Sequence, residues 1–253
     1  MINHTLTEVK VNKSKKISPA LFFILFTLVL CAFCVILTYM DKESESYADT
    51  DTSEDAPSLR AVIIDAGHGG EDGGASSSDG VKEKDINLEI ALMLRDLYTS
   101  VGIPTVLTRA EDVLLYDKSS DHVGKKKVMD LSNRLSIAQS TPDSLFISIH
   151  QNAFSDKQYS GLQVWYSSHS PLSKEIASDI QDSVKQIQAS NYRKTKAADS
   201  RLFILDHLTT PAVLVECGFL SNDGEATKLN TEEYQKKLAF IIFISTVKYF
   251  QNP

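Results

Sequence analysis

One stretch constrains this chain more than any other. Ala20 to Met40 reads ALFFILFTLVLCAFCVILTYM, 21 consecutive residues without a charge. As an α-helix it spans roughly 30 Å, the thickness of a bilayer core, so an uncleaved transmembrane anchor is expected. A cleavable signal peptide has an apolar region of only about 7–15 residues ending at small side chains, and neither property is met. A lipoprotein signal needs a small residue before its cysteine, whereas Leu30 precedes Cys31 and Phe33 precedes Cys34. Lys10, Lys13, Lys15 and Lys16 lie before the span; Asp41, Glu43 and Glu45 lie after it with Lys42 between. The positive-inside rule then puts residues 1–19 in the cytoplasm and everything beyond residue 40 outside.

Residues 41–58 (DKESESYADTDTSEDAPS) hold seven acidic residues, one lysine and one aromatic. That is too little apolar surface to offset the entropy of ordering them, which predicts a disordered tether reaching about 60 Å when extended. The tether carries part of the acidity. Of 26 basic and 33 acidic residues, five and eight precede residue 56, leaving 21 and 25, a net of -4. An acidic domain argues against nucleic acid as a partner. Cys31 and Cys34 belong to the span, so Cys217 is the only cysteine beyond it and no intramolecular disulfide is available there.

From residue 59 to 253 the pattern alternates. Short β-branched runs at Ala61–Asp65, Thr105–Thr108, Leu145–His150, Leu162–Trp165, Leu202–Leu205 and Ala212–Glu216 read as strands. Between them, Ile86, Ile90, Leu94 and Leu97 recur at helical spacing, as do Val128, Leu131, Leu135 and Ala138. Further helices are expected at Leu172–Ile187 and Glu232–Phe250, the last strongly apolar but too short to span a bilayer. Strands alternating with helices predict an α/β domain of three layers, α/β/α, around a mostly parallel sheet.

Ligands of open α/β sheets bind beyond the carboxyl ends of the strands. Three polar groups fall there: AVIID leads through AGHGGEDGG to His68, LFISI delivers His150, and AVLV delivers Glu216. The glycine-rich loop admits several readings. A dinucleotide fingerprint from Gly67 lacks its third glycine, because Asp72 stands there; a P-loop frame from Gly69 to Gly74 has Ala75 in place of lysine, with Glu71 and Asp72 facing any phosphate. A plain tight turn and a loop presenting a metal ligand remain. Glu83, across the loop from His68 and just before the Asp85–Tyr98 helix, supplies an acidic third donor. Histidine, glutamate and histidine with one open position is a catalytic zinc pattern, with Glu216 as the general base. No short local motif such as H-E-x-x-H supports it.

The motifs DAGHGGEDGGA, GVKEKDINLEIA, VLTR, NRLSIA, SIHQNA, SGLQVWY and PAVLVECGFLSN occur in that order. Together they resemble the zinc-dependent N-acetylmuramoyl-L-alanine amidases of bacterial cell walls, over essentially all of residues 60–253. The resemblance implies one Zn2+ held by His68, Glu83 and His150, Glu216 as the catalytic glutamate, and a peptidoglycan strand with its stem peptide as substrate. The implied reaction cleaves the amide between the lactyl group of N-acetylmuramic acid and L-alanine. The anchor, the single catalytic domain and YDKSSDHVGKKKVMDLSNR are similar to the sporulation amidases of the spore cortex, in which peptide removal prepares muramic acid for conversion to muramic-δ-lactam. Some relatives block the zinc with a long helix after SIHxNA; Ala153 to Ser160 leaves no room for one, which points to control by expression, tethering or a regulatory protein partner.

Asn152, Arg109 and Arg134 are substrate-contact candidates, each weighed against a turn cap or a structural ion pair. Lys125–Lys127 and the group Arg193, Lys194, Lys196 and Arg201 could steer an anionic stem peptide or form solvated faces. His122, His169 and His207 lack a partner pattern. Cys217 follows Glu216 on its strand and so faces the opposite side as a core residue. A zinc peptidase acting on stem peptides and a catalytically silent wall-binding protein are the competing functions.

Overall fold

The computed structural model describes residues 59–116 and 124–250; the anticipated anchor, the tether and His122 lie outside them. The strands are β1 (Ala61–Ala66), β2 (Thr105–Leu107), β3 (Ser144–Asn152), β4 (Gln163–Tyr166), β5 (Lys196–Ala197) and β6 (Ala212–Phe219). The helices are α1 (Glu83–Ser100), α2 (Lys126–Gln139), α3 (Pro171–Ser183), α4 (Phe203–His207), α5 (Asp223–Leu229) and α6 (Glu232–Thr246). They form the expected three-layer α/β arrangement, with strand order β2-β1-β3-β6-β4-β5. Every pairing is parallel except β4 with β6, which is antiparallel. Among the described residues no helix is long and apolar enough to cross a membrane.

Alternation along the strands separates two cores. Val62, Ile64, Leu145, Ile147, Ile149, Val213, Val215 and Cys217 point to one face, where they pack with Ile90 and Leu94 of α1, Ile176 and Ile180 of α3, and Leu238 and Ile242 of α6. The apolar last helix is therefore a layer of the core, as its composition predicts. Ile63, Phe146, Ala212 and Leu214 point the other way, against Ala138 of α2 and Ile204, Leu205 and Leu208 in and after α4. This second cover is thinner. A 14-residue helix and a five-residue helix leave the carboxyl ends of β3 and β6 uncovered on that face. His150 and Glu216 lie in register there, with Gln163 of β4 opposite Glu216.

Several local expectations are corrected. Leu202–Leu205 is not a strand: residues 203–207 are helical, because Ile204, Leu205 and Leu208 are all buried on one side, a helical rather than alternating pattern. Glu83 is the first residue of α1 rather than preceding it. The helix from Leu172 starts at Pro171, where a proline's missing N–H costs nothing, and passes into a 3-10 turn at Val184–Gln186. The final helix likewise ends at Thr246 in a 3-10 turn.

Candidate active site

Two structural devices build the site. β3 runs nine residues without a helix-forming break and carries His150 near its end. β1 ends at Ala66, and the chain then turns through His68 (φ 62), Gly69 (φ 145) and Gly70 (φ 55), closed by reciprocal Gly69 and Asp72 backbone hydrogen bonds of 3.0 Å. Residues of this kind cluster at functional sites because the left-handed region is costly for a side chain other than glycine.

His68, Glu83 and His150 come together with one donor atom of each within 4.8 Å of the others. Glu83 Oε1 stands 2.9 Å from His150 Nδ1 and 3.3 Å from His68 Nε2, and the two imidazoles meet edge to face at 5.0 Å. Backbone N–H groups of Gln151 and Ala75 donate to the same carboxylate at 3.0 and 2.8 Å, and Asn87 Nδ2 reaches it at 3.4 Å. Burial alone would raise the Glu83 pKa, yet hydrogen bonds and charge from both histidines hold it well below the usual range. His68 shows the converse: burial lowers its pKa, and Glu83 and Asp72 together raise it on balance. Asp72 Oδ2 lies 3.0 Å from His68 Nδ1 and fixes the ring from behind.

The donor set suits zinc, with two imidazole nitrogens and one carboxylate oxygen converging on a point. The glycines show that the convergence is sterically prepared. A Cβ on Gly67 would stand 2.3 Å from the His150 ring, and one on Gly74 would stand 2.5 Å from Glu83 Oε2 and 2.8 Å from His68 Cδ2. Glu216 adds a second indication: its Oε2 atom is buried and has no hydrogen-bond partner. Burial pushes its carboxyl up to about 7; Glu83 adds to the rise, whereas His150 and His68 oppose it.

Glu216, Asn152, Phe154, Tyr159, Trp165 and Arg193 line a groove of about 560 Å³. A smaller cavity of about 200 Å³ lies on the histidine side, against His68, His150, Asp65, Arg134 and Phe203. Of the three substrate-contact candidates, Asn152 lines the groove. Arg109 does not: it is buried, and its donors go to the carbonyls of Ala66, Gly67, Lys84 and Glu111, tying β1 to α1. Arg134 is also buried, 3.0 Å from Asp130 and 3.6 Å from Asp65, with NH2 donating to the His68 carbonyl. Arg109 thus ties the His68 loop to α1, and Arg134 braces the same loop while lining the smaller cavity. Lys126 and Lys127 pair with Glu71 and Asp72, whereas Arg193, Lys196 and Arg201 line the groove. Outside the site, His169 and His207 contact the backbone carbonyls of Asp206 and Phe203, and Cys217 is buried on the opposite face from Glu216. Asp72, Asn87 and Gln163 escape sequence reading; for Asp72 the spacing H-x-x-x-D was a usable signal.

Residues 62–244 match the family model Amidase_3, N-acetylmuramoyl-L-alanine amidase. The chain is 33% identical over 217 residues to the germination-specific N-acetylmuramoyl-L-alanine amidase of Bacillus subtilis, covering 85% of this chain and 91% of that protein. It is also similar to the CwlD amidase of Clostridioides difficile, solved in complex with the GerS lipoprotein. That likeness has 40% identity and a TM-score of 0.72 over 75% of this chain and 98% of the other. The catalytic domain of CwlV from Bacillus (Paenibacillus) polymyxa var. colistinus matches at 27% identity and TM-score 0.64, covering 76% and 98%. The chain belongs to the N-acetylmuramoyl-L-alanine amidase family.

Proposed function

We propose that this chain is a membrane-tethered zinc amidase of the spore cortex, cleaving the amide between the lactyl group of muramic acid and the first L-alanine of the stem peptide. Amidase activity on peptidoglycan follows from the family. The observation that carries the mechanism is the buried, unpartnered Glu216 Oε2 on the strand beside His150. His68, Glu83 and His150 would hold the metal. When bound, zinc supplies a Lewis acid that polarises the amide carbonyl and acidifies water.

The side chains do the rest. Glu216 takes a proton from the attacking water at Oε2 and returns it to the departing nitrogen of L-alanine. Asp72 holds the His68 ring in place, and the Gln151 and Ala75 amides with Asn87 hold Glu83. The groove that continues from Glu216 accommodates substrate beyond the scissile bond.

The cortex assignment draws support from the germination-specific relative and from CwlD. In that setting peptide removal would precede muramic-δ-lactam formation. The GerS complex of the C. difficile protein supports a protein partner, and the connection from Asn152 to Gln163 contains no helix to fill the site from within. Residues 20–40 would anchor the chain with the catalytic domain outside the cytoplasm.

Product analysis tests the reaction: new amino-terminal L-alanine with an intact sugar is expected, and release of a free amino acid from the peptide's far end would indicate a peptidase instead. Glu216→Ala should keep zinc and lose at least a hundredfold in cleavage, whereas His150→Ala should lose both. Cleavage by Glu216→Ala at the parental rate would refute the mechanism. Deletion of residues 20–40 should release the chain from the membrane fraction.

A further inference from the structure

The basic groups lining the groove differ in what holds them. Arg201 is paired with Asp199 at 2.6 Å, and exposed Lys196 extends over the Trp165 ring. Arg193 is half-buried and has no ion-pair partner among the described residues. Its Nε donates to the Ser160 carbonyl at 2.6 Å and its NH1 to Gln163 Oε1 at 3.2 Å. The guanidinium also lies 4.3 Å over the Phe219 ring and 5.7 Å from that of Tyr159. Glu225, the nearest carboxylate to attract it, is occupied by the backbone N–H groups of Gly161 and Phe219. A cation so fixed and partly desolvated, with its NH2 still free to donate, is one whose counter-ion comes from outside.

Its location says which counter-ion. Gln163 stands directly opposite Glu216 in the antiparallel β4 and β6 pair, so both side chains share a face about 5 Å apart at Cβ. Glu216 serves the departing nitrogen, so the peptide lies on this side of the scissile bond. The stem residue after L-alanine comes within about 7 Å of that nitrogen, two residues of chain.

We propose that Arg193 is a specificity-determining residue that reads a free carboxylate on the second residue of the stem peptide. The assignment rests on the amidase reading. It makes the protein selective for stems in which that group is a carboxylate rather than a carboxamide, a change that alters charge but little else.

The test compares zinc-loaded full chain on muramoyl-L-alanyl-γ-D-glutamyl-L-lysine and muramoyl-L-alanyl-D-isoglutaminyl-L-lysine, whose second residues differ only in a free α-carboxylate against an α-carboxamide, because the γ-carboxyl is taken up in the peptide bond of both. The unsubstituted protein should prefer the carboxylate by about tenfold to a hundredfold in kcat/KM, mostly through KM. Arg193→Gln should bring the ratio close to one, and Arg193→Lys should retain part of it because the charge remains without the planar fork. A ratio near one in the unsubstituted protein, or an unchanged ratio in Arg193→Gln, overturns the proposal. If Arg193→Gln does not fold, the unsubstituted and Arg193→Lys ratios decide, and equal ratios count against it. Calorimetric titration of the zinc-loaded Glu216→Ala protein with the same two compounds separates the two readings. Preferential binding of the carboxylate without cleavage by the parent chain would remove the amidase reading alone; cleavage without preference would remove the Arg193 assignment alone.

Discussion

Gly67→Ala puts one methyl group where the site has none to spare. The new Cβ would lie 2.3 Å from Cε1 and Nε2 of His150 and 2.7 Å from Nδ1. Unstrained carbon contacts begin near 3.5 Å, so the ring must retreat by about 1 Å. It cannot retreat with its backbone, because β3 is hydrogen-bonded to β1 on one side and β6 on the other. The ring must therefore turn, away from the 2.9 Å contact with Glu83 Oε1. Gly67 is not among the left-handed glycines, so alanine carries no backbone penalty and the effect is steric. Overpacking of this kind costs about 1–3 kcal/mol of stability. A misplaced ligand should weaken zinc binding about 10–100-fold and slow turnover at saturating zinc by about a hundredfold. Zinc competition against a chromogenic chelator and cleavage of a muramoyl-L-alanine substrate read these separately. Gly80→Ala is the control: nothing lies within 4 Å of its Cβ, but φ is +85, so it should lose about 1 kcal/mol of stability and bind zinc normally. Zinc affinity and turnover of Gly67→Ala within twofold of the parent would refute the steric reading.

The pair of Asp65 and Arg134 should make stability depend on pH. Burial raises the Asp65 pKa, but Arg134 and the Ser148 and Thr108 hydroxyls bring it below 3.8 on balance. The ionised form is thus favoured in the folded state; its contribution is present above the unfolded pKa and is lost as pH falls through the folded one. Asp65→Asn should cost about 3 kcal/mol in urea unfolding at pH 7, with the difference shrinking below about pH 4. A constant difference across that range would contradict this. Phe146→Ala, in the thinner core beneath the site, should cost about 3–5 kcal/mol by the same measurement. A loss under 1 kcal/mol would show that α2 and α4 close over the cavity.

What could be read in advance was whatever local chemistry decides. β1, β3 and β6 are buried almost throughout, so their apolar runs were legible, and each leads to a candidate site residue: His68 in the turn after β1, His150 near the end of β3 and Glu216 within β6. The four-residue reversed strand β4 was legible as a strand, but its antiparallel direction is a tertiary property; with it came the Gln163 and Glu216 pairing that gives the groove its wall. The two residues of β5 are too few to show alternation. α5 was missed although Asn222 caps it, accepting from the Glu225 N–H at 3.0 Å, and N-x-x-E is a readable start signal. Arg109 and Arg134 sit on strand-end and helix motifs that suggested contact with substrate, yet only three-dimensional packing reveals that Arg109 donates to backbone carbonyls and that Arg134 pairs with the buried carboxylates of Asp130 and Asp65.

At φ 62, His68 occupies a conformation that costs an ordinary side chain about 1–2 kcal/mol and costs glycine nothing. The turn by itself would therefore be more stable with glycine at this position, as at Gly69 and Gly70 beside it. What histidine adds there is an imidazole beside Glu83 and His150, so the loop carries backbone strain in return for a third converging donor.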